Sequence, residues 1–302
     1  MRVTLDSINC CIREDAESFI ASSEKSYSEK ITQVAEKIAG ENGRTLVMLA
    51  GPSGSGKTTT ALMLKNKLKS MGKNAITVSL DDFYCENNLN YTFEDGTVDY
   101  ETVKALDEKL IGECLTKLIT DGRCSLPHFD FKTKKRDRFT ETEIEKDGVI
   151  IVEGLHAINP VITETVKTER MIKIYVSVSS RIYDSEKVLL TKRDLRFVRR
   201  LIRDYHHRNS QVEFTFYLWR GVRKGEDRYL FPYSDRADIR IDSLHSYEPC
   251  VFKDTALELL DHISEGSEYY KEALELKNKL KGFVSIAESA IPKESLLNEF
   301  TG

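Results

Sequence analysis

The stretch Gly51-Pro52-Ser53-Gly54-Ser55-Gly56-Lys57-Thr58 decides the fold of this chain of 302 residues. It matches the P-loop pattern G-x-x-x-x-G-K-[ST], in which glycines let successive backbone N–H groups turn toward a phosphate. The lysine ammonium reaches the β- and γ-phosphates, and the threonine hydroxyl can bind Mg²⁺. The pattern therefore predicts a nucleoside-triphosphate site. Its predicted residues are Gly51, Ser53, Gly54, Ser55, Gly56, Lys57, Thr58 and Thr59.

The surrounding sequence has the features that such a loop requires. Residues 44–50 read as a buried strand that leads into the loop. Behind the loop, Ala61, Leu64, Leu68 and Met71 recur at helical spacing until Gly72 ends the pattern. The positive N-terminal end of this helix would point at the phosphates.

Composition narrows the class of protein. Lys and Arg total 45 against 49 Asp and Glu, and this net charge of −4 argues against a nucleic-acid partner. Apolar runs such as 149–152 are too short to cross a bilayer. The N-terminal residues show no apolar region of a secretory signal. The six cysteines form no C-x-x-C pair, which is typical of reduced thiols. We therefore expect a cytoplasmic globular protein without a membrane partner.

Strand-like and helical patterns alternate along the chain, which implies a parallel sheet with helical crossovers. The strand-like runs are 44–50, 74–80, 148–154, 172–178 and 237–242. Helical patterns cover 14–39, 61–71, 103–118, 180–207 and 250–281, and residues 86–99 read as a polar loop or lid margin. Residues 1–12 are compatible with a short strand or a loose arm.

Two carboxylates stand at the ends of predicted strands, where ligands bind in open α/β sheets. Asp81 could accept a proton from an attacking hydroxyl and touch Mg²⁺, or it could simply cap a turn. Glu153 follows four apolar residues, as in a Walker B strand, and is predicted to lie beside the metal. A salt bridge at the sheet edge is the alternative for Glu153.

The helical run 192–208 carries many arginines. Leu195, Val198, Ile202 and Tyr205 form an apolar stripe. A charged stripe is formed by Arg193, Arg196, Arg200 and Arg203. Such guanidiniums can neutralise a transferring phosphoryl group. A solvated face or a nucleic-acid-binding helix would leave a similar pattern.

Five motifs in order resemble the uridine kinase/phosphoribulokinase family of P-loop kinases. They are G-P-S-G-S-G-K-T-T, S-L-D-D-F-Y, L-P-H-F-D-F-K-T-K-K-R, I-I-V-E-G-L-H and R-R-L-I-R-D-Y-H-H-R. The chain is most similar to a bacterial branch in which the kinase module often follows a threonyl-tRNA-synthetase-like region, of which only a leading helix is expected here. The resemblance covers residues 25–302.

The resemblance implies a role for each matching residue. Asp81 matches the general base for a sugar 5′-hydroxyl, and Tyr84, Tyr100 and Glu101 match positions beside the sugar. Lys57 and the lid arginine Arg203 would stabilise the transfer, while Arg200 and Arg208 would hold the triphosphate. Thr58, Glu153 and Asp81 would surround Mg²⁺. The implied cofactors are ATP and Mg²⁺.

Two departures concern the phosphoryl acceptor. Where uridine–cytidine kinases carry a tyrosine and a histidine that help to recognise the pyrimidine, this chain has Phe129 and Lys134. Loss of a polar group that pairs with a base edge changes selectivity strongly. The lid motif also ends in Arg208-Asn-Ser rather than Arg-Gly-Arg, which removes one cation.

The expected architecture is an α/β P-loop NTPase fold: a doubly wound parallel sheet of about five strands, a lid helix and C-terminal helices. Residues 1–43 would form an N-terminal arm and helix, 44–250 the kinase domain and 251–302 a helical appendage packed on it. The predicted activity is transfer of the γ-phosphate of ATP to a small-molecule hydroxyl, first the 5′-OH of uridine or cytidine. The alternatives are a family kinase acting on another sugar or alcohol, and a nucleotide-binding regulatory or RNA-associated protein. A homo-oligomer is possible.

Overall fold

The computed structural model describes residues 2–86 and 91–301. The strands are β1 (Val3–Thr4), β2 (Thr45–Ala50), β3 (Ala75–Ser79), β4 (Arg123–Asp130), β5 (Lys135–Glu143), β6 (Val149–Glu153), β7 (Met171–Ser177), β8 (Ile182–Asp184), β9 (Lys187–Leu190) and β10 (Ile239–Asp242). The α-helices are α1 (Leu5–Ala39), α2 (Lys57–Ser70), α3 (Glu108–Thr120), α4 (Pro160–Thr163), α5 (Lys192–Arg208), α6 (Val212–Tyr229), α7 (Glu248–Asp261) and α8 (Tyr270–Leu280).

A five-stranded sheet, all of it parallel, has the order β10-β7-β2-β6-β3. This confirms the predicted doubly wound sheet, and each predicted strand lies within about two residues of an observed one. Every residue of β2 and β6 is buried, because helices cover both faces of the sheet. The P-loop thus leaves the centre of the sheet, between the two strands that flank β2.

Alternate residues of each strand face different helical layers. Val47 and Leu49 belong to a core shared with α1, α2, α5, α6, α7 and α8. Leu46 and Met48 belong to a second core on the other face, which α3 helps to form. The period of two along β2 follows from the strand geometry. The long N-terminal helix and the last two helices therefore pack into the same core as the nucleotide-loop helix.

The first helix is longer than the sequence predicts. It begins at Leu5 instead of residue 14, because Thr4 and Ser7 form a capping box that satisfies the first turn. Asp15 has non-helical angles, and its side chain accepts a hydrogen bond from the Ser18 N–H at 3.0 Å. The predicted pattern from residue 14 therefore marks the second segment of a kinked helix.

Two β-hairpins were not predicted. Residues 180–190 were expected to begin the basic helix, but they contain β8 and β9, and α5 starts only at Lys192 after the Thr191 capping box. The pair β4–β5 forms a separate antiparallel hairpin. Its second strand is largely exposed and polar, so it lacks the alternation of apolar residues by which a strand is predicted. Of the predicted loop 86–99, residues 87–90 lie outside the described residues.

Candidate active site

The P-loop joins β2 to α2, and its backbone geometry requires glycine at three positions. Gly54 and Gly56 have left-handed φ angles of 72° and 79°. A Cβ on Gly51 would lie 2.4 Å from the Val176 carbonyl oxygen. These contacts hold the loop tightly against β7 and give its amides the orientation that a phosphate site requires.

The loop presents unused hydrogen-bond donors. Within the described residues, the backbone N–H groups of Gly54, Gly56, Lys57 and Thr58 donate to no protein acceptor. The buried hydroxyl of Ser55 also has no partner there. Buried or helix-terminal polar groups without partners are costly unless a ligand satisfies them. The loop therefore fits the phosphates of a nucleotide, as the sequence predicts.

Glu153 connects the loop with β3. In the sheet it lies beside Ser79 of β3, whose hydroxyl donates to its carboxylate at 2.8 Å. The Thr58 hydroxyl lies 3.4 Å from the second carboxylate oxygen. Burial raises the pKa of Glu153, and the charge of Lys57 opposes that rise. A hydroxyl and a carboxylate beside a triphosphate site match what Mg²⁺ binds in such enzymes, so Thr58 and Glu153 fit the metal.

Asp81 lies where β3 ends, in a short 3₁₀ turn over Leu80–Phe83. Its side chain is exposed to solvent, yet the surrounding protein raises its pKa while Lys57 lowers it. The nearby charges of Asp82 and Arg208 also act on it. Asp81 is therefore near enough to the P-loop lysine and one lid arginine for their charges to act on its carboxylate. It is accessible to a second substrate, as a general base must be.

Aromatic rings flank this carboxylate. The Tyr84 ring lies 5.7 Å from that of Phe129 and 5.6 Å from that of Phe131, between ring centroids. Phe131 is 58% exposed, so the cluster presents an open apolar surface. Burial raises the pKa of Tyr84, and the charges of Asp81 and Glu101 add to that rise, which places the tyrosine near both carboxylates. Phe131 is a member that the sequence analysis did not single out.

Glu101 lies against helix α6. A Cβ on Gly225 of α6 would lie 2.3 Å from the Glu101 Cβ, so this glycine makes room for the segment. Tyr229 of α6 donates to Asp99 at 2.6 Å and holds the same segment. Burial and the charge of Glu226 raise the pKa of Glu101 to about 7, against the opposing effect of Arg200 and Lys57.

Tyr100 and Lys134, which are predicted to bind the phosphoryl acceptor, are both exposed. Tyr100 precedes Glu101 in the same turn, and 53% of its surface is exposed. Lys134 lies in the turn of the β4–β5 hairpin with a left-handed φ of 56°, and its side chain is exposed. The structure therefore brings Tyr84, Glu101 and Phe129 together with Asp81, whereas it leaves Lys134 at the tip of a hairpin.

The three predicted lid arginines surround one acid that the sequence analysis did not select. Arg200, Arg203 and Arg208 lie 3.2, 3.6 and 3.2 Å from carboxylate oxygens of the fully buried Asp204. Arg200 also donates to the Ser53 hydroxyl of the P-loop at 2.9 Å. Three cations around one anion leave excess positive charge beside the loop, which suits a triphosphate.

Other arginines of α5 have a structural role. Arg196, predicted to share a nucleotide-facing stripe, is buried and pairs with Glu226 of α6. Arg199, which lies outside that stripe, is fully buried, pairs with Glu248 and donates to the Gly54 carbonyl at 3.2 Å. Their acidic partners are 30 and 49 residues away, so no local spacing reveals them.

Comparison with known proteins agrees with this geometry. A model of the phosphoribulokinase/uridine kinase family matches residues 46–248. The uridine kinase of Staphylococcus haemolyticus is 30% identical over 199 residues, covering 65% of this chain and 86% of that protein. The uridine kinase of Borrelia duttonii is 30% identical over 198 residues, with coverages of 65% and 85%. The structure of a possible uridine kinase from Bacillus stearothermophilus aligns with a TM-score of 0.48 and 18% identity, covering 71% of this chain and 98% of that one.

The parallel sheet, the nucleotide loop and the family match define the class: this is a P-loop kinase. The chain belongs to the phosphoribulokinase/uridine kinase family. Membership implies that it binds ATP together with Mg²⁺. Helix α1 and the residues after 248 lie outside the matched region. None of the helices in the described part of the chain is long and apolar enough to cross a membrane.

Proposed function

We propose that this kinase transfers the γ-phosphate of ATP to the 5′-hydroxyl of a pyrimidine nucleoside, with uridine or cytidine as the acceptor. The observation that carries the proposal is the position of Asp81. Its carboxylate is accessible, lies within the influence of Lys57, and adjoins the Tyr84–Phe129–Phe131 cluster. A base or sugar ring can stack on such a surface while its hydroxyl meets the carboxylate.

The chemistry follows from these positions. Asp81 accepts the proton of the acceptor hydroxyl as its oxygen attacks the γ-phosphorus, and the bond between the γ-phosphorus and the β–γ bridging oxygen breaks to release ADP. Lys57 and the lid arginines Arg200, Arg203 and Arg208 offset the negative charge of the transferred group. Thr58 and Glu153 would hold Mg²⁺, which when bound neutralises phosphate charge. The free cysteines suit action in the reducing cytoplasm.

A second acceptor class is favoured by one observation. Phe129 lacks the hydroxyl of a tyrosine, and Lys134 is exposed at the hairpin tip. These residues give a pyrimidine base fewer hydrogen-bond partners, so another sugar or small alcohol is the runner-up acceptor. A regulatory protein that binds ATP without an acceptor is the remaining alternative.

The test is ATP consumption with Mg²⁺ over a panel of nucleosides, sugars and small alcohols, with products identified by mass. Nucleoside 5′-monophosphate formation is the expected result. Asp81→Asn should lose at least about 10³-fold in kcat while still binding ATP, whereas Lys57→Ala should lose ATP affinity. Turnover with a non-nucleoside acceptor would replace the substrate. Equal activity of Asp81→Asn and the unchanged protein would refute the assignment of the base.

A further inference from the structure

The C-terminal segment Ser295–Thr301 passes directly over the P-loop, although it lies outside the family-matched region. It contains a short 3₁₀ turn over Leu296–Glu299 that is capped by Ser295, whose hydroxyl accepts from the Leu297 N–H at 3.1 Å. Leu296 is fully buried against Gly56, where a Cβ would meet its methyl carbon at 2.6 Å. The glycine required by the nucleotide motif therefore also admits this leucine.

Two further contacts anchor the segment. The Arg199 guanidinium lies 5.2 Å from the centre of the buried Phe300 ring, and the same arginine donates to the Gly54 carbonyl. Ser295 donates to Glu24 of α1 at 2.6 Å. The segment is thus fastened to both the loop and the N-terminal helix, which brings the intervening Glu299 to a defined position.

Glu299 bonds to the P-loop helix itself. Its carboxylate accepts from the Thr59 hydroxyl at 2.7 Å and from the Thr59 N–H at 3.3 Å. It also lies 4.0 Å from Arg203. An anion that binds a backbone N–H and a hydroxyl in the first turn of a helix uses the same groups that bind a phosphate. Four preceding N–H groups of the loop, those of Gly54, Gly56, Lys57 and Thr58, have no protein acceptor within the described residues.

We propose that the Glu299 carboxylate stands in for one phosphate of the nucleotide, and that nucleotide binding displaces it from Thr59. The inference rests on the proposed nucleotide site and adds the C-terminal segment to it. Glu299, Asn298 and Thr59 border a cavity of about 620 Å³ between α1, α2 and the segment. The carboxylate can turn into this cavity while Leu296 and Phe300 stay in place. Because the bound carboxylate covers one donor, the apparent affinity for nucleotide falls by the fraction of molecules in that state.

The test compares ATP and ADP dissociation constants, measured by calorimetry without acceptor, for Glu299→Ala and Glu299→Gln. Removal of the competing charge should tighten binding roughly three- to thirtyfold, as loss of one charge-assisted contact predicts. Glu294→Gln is the matched control, because Glu294 borders the same cavity and its affinity should match that of the unchanged protein. Thermal unfolding of each variant without nucleotide checks that the segment still packs.

Inorganic pyrophosphate provides a readout without the nucleoside. It should bind more tightly to Glu299→Ala than to the unchanged protein if competition concerns a phosphate position. Unchanged affinity in both Glu299 variants would refute the inference, and weaker affinity would show that Glu299 contacts the bound nucleotide. If neither the unchanged protein nor any variant binds ATP, both the proposed function and this inference are refuted. If ATP binds but its affinity is the same in the Glu299 variants, only this inference is refuted.

Discussion

Arg196 of α5 and Glu226 of α6 form a two-point ion pair, with N–O distances of 2.7 and 2.8 Å and both side chains buried. The pair also holds the nucleotide loop. Arg196 donates to the Ser53 carbonyl at 3.0 Å, and Glu226 accepts from the Ser53 N–H at 2.8 Å. Helices α5 and α6 therefore together hold both the carbonyl and the N–H of Ser53 in the P-loop.

We expect Glu226→Ala to lower the free energy of unfolding by about 3–5 kcal/mol, because it leaves the Arg196 charge buried without a partner. Urea denaturation measures the change. The double variant Arg196→Met with Glu226→Leu should recover most of the stability but not the ATP affinity, because Ser53 loses its supports. Equal stability of Glu226→Ala and the unchanged protein would contradict a buried, paired glutamate.

Phe129 should govern acceptor binding more than nucleotide binding. Phe129→Ala removes a ring that packs against both Tyr84 and Phe131, and we expect kcat/KM for the acceptor to fall roughly 10- to 100-fold. The KM for ATP should stay within about twofold. Lys134→Ala is the comparison variant, and its exposure in the turn predicts a change below about threefold. A larger loss at Lys134 than at Phe129 would place the acceptor at the hairpin tip.

The pKa of Glu101, raised to about 7, predicts a pH dependence of activity. Below pH 7 the half-buried carboxyl is mostly protonated, and above pH 7 the ionised form can accept hydrogen bonds from sugar hydroxyls. We therefore expect kcat/KM for the acceptor to rise through pH 7, and Glu101→Gln to flatten that rise and lower its upper plateau. Steady-state rates from pH 5.5 to 8.5 provide the measurement. An identical profile in Glu101→Gln would assign the titration to another group.

His156 predicts a pH dependence of stability. Burial lowers the pKa of its ring to about 4 from an ordinary value near 6.5, so the folded protein keeps the ring neutral while the unfolded chain charges it. The resulting stability is present above pH 6.5 and is lost as the pH falls toward 4. Between pH 6.5 and 4, the unchanged protein should lose about 1–3 kcal/mol more than His156→Phe. Urea denaturation at four pH values tests this, with the exposed His262→Phe as control.

The nucleotide loop and its sheet were predictable because their signals are local. A buried strand, a glycine-rich loop and a helix follow one another within 30 residues. The loop glycines are needed for a positive φ angle or for close packing of the backbone. Asp81 and Glu153 were predictable for a related reason. Both stand at the carboxyl ends of strands, and parallel strands bring those ends to one edge of the sheet.

The beginning of α1 and the two hairpins were harder to predict. Hydrogen bonds between the side chains and backbone of Thr4 and Ser7 form the start of the helix. No helical spacing of apolar residues was identified there from the sequence. Strand β5 is held by pairing with β4 and carries mostly polar, exposed residues. Strand β5 forms because β4 pairs with it, and its own sequence does not predict a strand.

The amino-acid sequence by itself determined that this chain folds around a P-loop and carries two carboxylates beside it, since those features depend on residues that are close along the chain. Only the tertiary structure decided which arginines of α5 gather around Asp204 beside the P-loop and which pair with Glu226 and Glu248. It alone brought Glu299 to Thr59 across 240 residues. Charge pairing and burial depend on the partner supplied by another element, and the spacing within one helix or turn contains no information about that partner.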